Sequence, residues 1–334
     1  MSDTVNAGVI IVTVLYAITM LLSIVGNSSL IYIVWRVKQT RSFTSFMFVN
    51  MAVADLLITM IMMPSTIHKA FTADSGWAIS GTFADVACKG SNYLAETTVM
   101  ASILCLTFIA IDRFYIVNYP LKSRVAWFRK AKYITPFTWI LSLALKSIVP
   151  VFFSFDDEYN RCGVGAVGGD FASLQAYFTY LFLVTYFLPL CVISILYGLT
   201  ARTIWFRRTP GNRLTETKQL QEEMEKKRAV RMLVVIVAVF ALCWLPVQLA
   251  AIGHIIYVVK GFSLSLPVNY LAAWFGHSNS AINPWLFICL SPKMKVPFWE
   301  MLGRGRRKNA DRKIDSRKTT VNATHEEIPL TVSN

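Results

Sequence analysis

Three observations predict an all-α membrane protein, a bundle of seven transmembrane helices followed by a short amphipathic helix. Of the 334 residues, 55% are hydrophobic and 16% charged, with a mean hydropathy of +0.49. A soluble domain has no way to hide that much apolar surface. The apolar residues also fall into seven runs, each long enough to cross a bilayer, which takes about 20 residues. Finally, the formal charge of +14 is not spread evenly. Nearly all Lys and Arg lie in alternate loops and the tail, with Lys69, Lys89, Lys146, Arg161 and Lys260 as the exceptions. This distribution argues against nucleic acid as a partner. It is the positive-inside pattern, and it places the amino terminus outside the cell and the tail in the cytoplasm.

In chain order, the spans are expected at about residues 9–35, 46–70, 84–117, 131–153, 174–206, 229–258 and 266–290. Residues 1–8 form a short outer terminus. They lack the basic region of a cleavable signal, so the first helix serves as its own insertion signal. Prolines stand inside the runs at Pro64, Pro136, Pro150, Pro189, Pro246 and Pro284. Membrane helices tolerate them because neighbouring groups re-satisfy the freed carbonyls, and each marks an expected kink. The 207–228 loop mixes Glu216, Glu222, Glu223 and Glu225 with bases, which suits extension of the flanking helices into the cytoplasm. After the seventh span, Lys293, Lys295 and Glu300 alternate with Met294, Phe298, Trp299 and Leu302 near 292–302. That pattern predicts an amphipathic helix on the lipid headgroups of the inner face. The spans and this helix make one domain, 9–302. The charged, polar tail 303–334 is expected to be disordered.

The third run is the organising one. It begins near Cys88 and ends in the adjacent acid and base Asp112-Arg113. The 25 residues from Cys88 to Arg113 make about 37 Å of helix, so one helix carries an outer cysteine and an inner charged pair. A charged pair at a span's end must find partners or reach the interface. This arrangement resembles the third helix of rhodopsin-like G-protein-coupled receptors, with Asp112-Arg113-Phe114 in place of their Asp/Glu-Arg-Tyr motif. Each other span carries its own match: Gly26-Asn27; Asn50-Met51-Ala52-Val53-Ala54-Asp55; Trp139; Pro189 with Tyr197; Phe240-x-x-Cys243-Trp244-Leu245-Pro246; and Asn279-Ser280-Ala281-Ile282-Asn283-Pro284-Trp285-Leu286-Phe287. The likeness covers roughly residues 9–302, and its neuropeptide-receptor branch is the most similar.

That resemblance implies a receptor coupled to a heterotrimeric G-protein, and no enzyme. Asp112, Arg113, Tyr197, Asn283, Pro284 and Phe287 are expected in activation and coupling, with Ile103, Pro189, Phe240 and Trp244 as connector and toggle. A tyrosine normally stands where this chain has Phe287. Where many relatives place an acid to hold Arg113, the chain has Lys226, so an ionic lock is not expected. Cys88 and Cys162, the two cysteines on the oxidising outer side, are read as a disulfide pinning the second outer loop to the third helix. Cys105, Cys191, Cys243 and Cys289 lie within spans as small buried hydrophobes. Asp55 is a carboxylate near mid-bilayer and needs a partner. It is read either as a packing hydrogen bond or, with Asn27, Ser102, Asn279 and Ser280, as the family's sodium site, since hard cations favour oxygen ligands. Thr319, Thr320, Thr324, Thr331 and Ser333 are expected substrates for receptor kinases, leading to arrestin recruitment.

The ligand is read partly from absences. His277 stands where light-sensing relatives carry the retinal lysine, so no retinal is expected, and Ala95 stands where amine receptors carry an aspartate. The outer loops lean acidic, with Asp156-Asp157-Glu158 just before Cys162, which would steer cations inward. A short basic or amidated neuropeptide fits best, with a lipid or other small molecule as the alternative. Expected contacts are Glu96, Gln248, His254, Asn269, Ala273, His277, Asp157 and Glu158. A small transporter would also show kinked spans with buried polar groups, but it predicts an internal repeat, and none is visible. An enzyme needs a nucleophile–base or metal-ligand cluster, and the four histidines are scattered. Glu96 and Lys146 are expected at similar depth on neighbouring helices. They can pair, directly or through water; Lys146 can instead snorkel to the headgroups with Glu96 protonated; or Glu96 can face the cavity to meet the ligand.

Overall fold

A computed structural model of the chain describes residues 7–71, 79–119, 130–165, 170–206, 213–260 and 266–303, without the side chains of 7, 213–223, 226, 254–260, 266 and 267. The helices are α1 (Ala7–Arg36), α2 (Phe43–Phe71), α3 (Gly81–Asn118), α4 (Ala131–Lys146), α5 (Phe171–Phe206), α6 (Arg213–Lys260), α7 (Leu266–Leu290) and α8 (Pro292–Met301). Among the described residues, six of them are long and apolar enough to span a bilayer, and α7 is not among those six. Its run His277-Ser278-Asn279-Ser280 and Asn283 explain that, because these groups face other helices rather than lipid: Ser278, Asn279, Ser280 and Asn283 are all buried.

The helices pack in a ring, α1 on α2 and α7, α2 on α3, α3 on α4 and α5, and α6 on α5 and α7. Helix α3 touches α2, α4, α5 and α6 and runs through the middle. Met51, Ile103, Leu106, Ile109, Ile236 and Phe240 meet in the central core. Leu21, Ile140 and Leu242 stay about two-thirds exposed. A helix apolar on every side suits lipid outside and packing inside.

The prolines act in different ways. Pro64, Pro136, Pro246 and Pro284 lie within helices, whereas Pro150 opens a separate turn, Val149–Phe152, after α4 stops at Lys146. Upstream of Pro189, α5 widens into a π-helical turn, Phe182–Phe187. A proline has no N–H to give and its ring crowds the carbonyl four residues back, here Thr185. The wider turn relieves that clash.

Between α4 and α5 the chain forms a two-stranded antiparallel hairpin, β1 (Phe153–Asp156) and β2 (Arg161–Val164), with Phe155 opposite Cys162. Cys162 is bonded to Cys88 of α3, with Cα atoms 5.6 Å apart, well inside the limit for a bridge. Two carboxylates add ties: Asp85 accepts from the Phe155 N–H at 3.0 Å, and Asp157 from the Gly81 N–H at 2.8 Å. Gly81 opens α3 with φ at +68°, a conformation glycine adopts at little cost.

At the other end, Met294 and Phe298 of α8 are buried while Lys293 and Lys295 are exposed, as the amphipathic pattern has it, whereas Trp299 is half-buried and Leu302 is exposed. Phe298 meets Trp285 of α7 edge-on, with ring centres 5.8 Å apart. The expected kinase sites of the tail and the side chains of Lys226 and His254 lie outside the described residues.

Candidate functional site

Polar groups inside the bundle gather at three depths. Outermost is an ion pair. Lys146, the last residue of α4, is fully buried and donates to Glu96 Oε2 of α3 at 2.8 Å. Its ammonium also donates to the hydroxyl of Thr185, within the π turn of α5. Of the open readings, direct pairing is the geometry found, and Lys146 does not snorkel. The end of α4 is held as well: Tyr93 donates to the Leu143 carbonyl at 2.9 Å and Tyr180 to that of Leu145 at 2.6 Å. Three helices thus meet around one buried ammonium. The residue after Thr185 points to a fourth, since Tyr186 donates to the Ala241 carbonyl of α6 at 2.9 Å.

The middle depth is built around Asp55 of α2, which is buried. Ser280 donates to its Oδ1 at 2.9 Å and Asn283 to its Oδ2 at 3.4 Å. Asn27 of α1 spends its amide N–H groups on the Ser23 carbonyl at 3.0 Å and the Ser280 carbonyl at 3.0 Å. Such close approach needs Gly26, where an added Cβ would lie 2.8 Å from both Pro284 and Trp285 of α7. Among the described residues, the buried oxygens without a hydrogen bond include Asn27 Oδ1, Ser102 Oγ, Asn279 Oδ1 and Asn283 Oδ1. A buried acceptor without a donor is costly. One carboxylate with amide and hydroxyl oxygens is a donor set that fits a hard cation. Among the described residues no group of three or more His, Cys, Asp or Glu could hold a transition metal.

Between these depths, Ile103 and Phe240 are buried in the same cluster, with Trp244 packed against it, its ring centre 6.1 Å from that of Phe240. Pro189 is buried beside this region of α5. Gln248 and Ala273 are half-buried and Asn269 exposed. His277 is engaged across the α1–α7 seam, where its Nδ1 lies 3.0 Å from the Tyr16 hydroxyl. Glu158 is exposed on the hairpin, and Asp157 uses one oxygen to cap α3.

Innermost is the charged pair. Arg113 lies 3.8 Å from Asp112 and also donates to the Thr44 hydroxyl of α2. The Tyr197 hydroxyl is buried without a hydrogen-bond partner. Phe287 is buried and stacks on Phe48 with centres 3.8 Å apart. Sequence reasoning missed Thr44, Tyr16 and Thr185; each is a lone hydroxyl on an apolar helix, and a threonine in that setting more often just bonds its own backbone. Restoring a hydroxyl at Phe287 offers Tyr197 a water-bridged partner worth about 1 kcal/mol. Phe287→Tyr is expected to raise basal or agonist-driven signalling up to several-fold at matched surface level, and an unchanged dose–response curve would count against the idea.

A bundle whose polar groups run from an outer ion pair to an inner Asp-Arg, around a disulfide-tethered central helix, is built as a multi-pass membrane receptor. Residues 26–287 match the 7 transmembrane receptor (rhodopsin family), and the chain belongs to that family of G-protein-coupled receptors. It is similar to the Tachykinin-like peptides receptor 86C of Drosophila melanogaster, 26% identical over 310 residues, covering 86% of this chain and 58% of that receptor. The Substance-K receptor of Mus musculus is 27% identical over 294 residues, 85% of this chain and 73% of its own. The RYamide receptor of Drosophila melanogaster is 25% identical over 338 residues, 97% of this chain and 71% of its own.

Proposed function

We propose that this receptor lies in the plasma membrane with its amino terminus outside, binds a short basic or amidated neuropeptide at the outer end of the bundle, and activates a heterotrimeric G-protein at the inner end. The observation that carries the reading is the acidity of the outer end. Asp156, Asp157 and Glu158 are exposed on a hairpin fixed to α3, and Glu96 is part-exposed further in. Such a field draws cations and repels anions. Similarity to receptors named for tachykinin-like peptides and for RYamide supports a peptide. Further contacts are assigned to Gln248, His254, Asn269, Ala273 and His277 on α6 and α7. The test is a library of short amidated peptides screened on cells expressing the receptor with a promiscuous G-protein. Activation by basic peptides is expected, and a response confined to lipids would replace the reading.

Signal passage is assigned to Ile103, Pro189, Phe240 and Trp244, whose packing can change as a unit. At the inner end, Arg113 leaves Asp112 and Thr44 for Tyr197 and the G-protein, with Asn283, Pro284 and Phe287 moving beside it. Phosphorylation of the tail and arrestin capture follow.

The Asp55 cluster is proposed to hold sodium, with Asp55, Asn27, Ser102, Asn279 and Ser280 as ligands. Bound sodium supplies positive charge to the carboxylate, and the residues supply oxygens and a dry enclosure. Replacing choline by sodium at about 150 mM should raise the melting temperature of the purified receptor, by linkage to the state that binds it. Asp55→Asn should abolish that rise, and a sodium effect that survives the substitution would exclude this site.

A further inference from the structure

The Glu96–Lys146 pair is lopsided. Lys146 is fully buried, while the Glu96 side chain keeps 31% of its surface exposed. Lys146 uses Oε2 of that carboxylate. The other oxygen, Oε1, has no hydrogen-bond partner among the described residues, yet it is not among the buried atoms left without one. It is therefore open to solvent. Glu96 lies eight residues inward of Cys88, about 12 Å along the helix from the outer tether. A molecule entering from outside would meet the acid of this pair and not its base.

Resting on the reading that the ligand is a short basic peptide, we propose that Glu96 is the residue that selects it. Oε1 accepts from a guanidinium or ammonium group of the ligand, and Lys146 is a positioning residue. The lysine holds Oε2 from one side and is itself held by Thr185, so the free oxygen is presented in a fixed place. A carboxylate can accept from two donors at once. The exposed acids Asp156 and Glu158 on the hairpin raise the local concentration of the same kind of group. A cation at Oε1 also loosens the hold of Glu96 on Lys146, whose second partner lies in the π turn. That turn is tied through Tyr186 to Ala241, one helical turn from Trp244. Occupancy of Glu96 thus bears on the joint between α5 and α6.

The probes are short C-terminally amidated peptides, each with one arginine, and counterparts with citrulline, which keeps the shape and drops the charge. On the wild-type receptor, citrulline should lower potency by about ten- to a hundredfold, the range for a hydrogen bond to a charged group. On Glu96→Gln the two forms should become nearly equipotent, and Glu96→Asp should restore the preference. Because Glu96→Gln strands a buried ammonium, the comparison is repeated in Glu96→Gln/Lys146→Met, where discrimination should be lost at normal surface level. If Glu96→Gln weakens both peptides equally, with their ratio intact, the proposal is overturned. A peptide that activates the wild type without regard to charge also overturns it, while leaving the peptide reading in place. If no peptide of the set activates the wild type, the reading and the proposal fall together.

Discussion

Replacing Glu96 by glutamine should destabilise the receptor far more than replacing Lys146 by methionine. The asymmetry follows from burial. Lys146 is fully enclosed and Glu96 is 31% exposed. Removing the acid leaves an ammonium inside the bundle with only the Thr185 hydroxyl and the neutral amide to solvate it. Breaking a buried pair in this way costs about 3–5 kcal/mol. Removing the lysine leaves a carboxylate that water can reach, at a smaller cost. The double variant Glu96→Gln/Lys146→Met should recover most of the loss, since the charge and its need for a partner go together. Unfolding of a membrane receptor is commonly irreversible, so midpoints are to be compared at one heating rate. A double variant no more stable than Glu96→Gln would show that the two residues are not coupled.

Loss of the Cys88–Cys162 bridge is expected to be the other large effect. The bond joins residues 74 apart in sequence, and closing a loop of that size restricts the unfolded chain by roughly 4 kcal/mol in the chain-entropy account. It also holds the hairpin across α3, where the Asp85 and Asp157 bonds are exposed or part-exposed and too weak to replace it. Cys88→Ser, Cys162→Ser and the double variant should each cut surface expression and peptide response to a similar extent, because either single change already removes the whole bond. Wild-type surface levels in all three would show that the ties through Asp85 and Asp157 suffice.

Much of this fold was legible in the sequence because lipid imposes a simple rule. An apolar run long enough to cross must be a helix, and the seven runs are seven helices. The pairing of Glu96 with Lys146 was foreseeable as one of several outcomes, since depth along two antiparallel helices follows from rise per residue. The remaining features depend on which way side chains turn. Thr44 captures Arg113 because α2 and α3 approach at their inner ends, and nothing in a lone threonine announces that. Pro189 predicts a break in α5 but not that it takes the form of a π turn presenting Thr185 to Lys146. The hairpin Phe153–Val164 alternates in burial and could have been read from its period of two. Asn160, in the left-handed region at φ 51°, is a turn signal beside it. Asn283 was read for activation alone, and its bond to Asp55 joins that region to the expected cation cluster.

Nucleotide exchange on a purified heterotrimeric G-protein, with the receptor reconstituted in lipid, tests the central claim most directly. Short amidated basic peptides should accelerate exchange in a saturable way, and Arg113→Ala should remove the acceleration while leaving peptide binding measurable. Exchange that no peptide of the set alters, or acceleration that persists in Arg113→Ala, would contradict a peptide receptor acting through the inner Asp112-Arg113 pair.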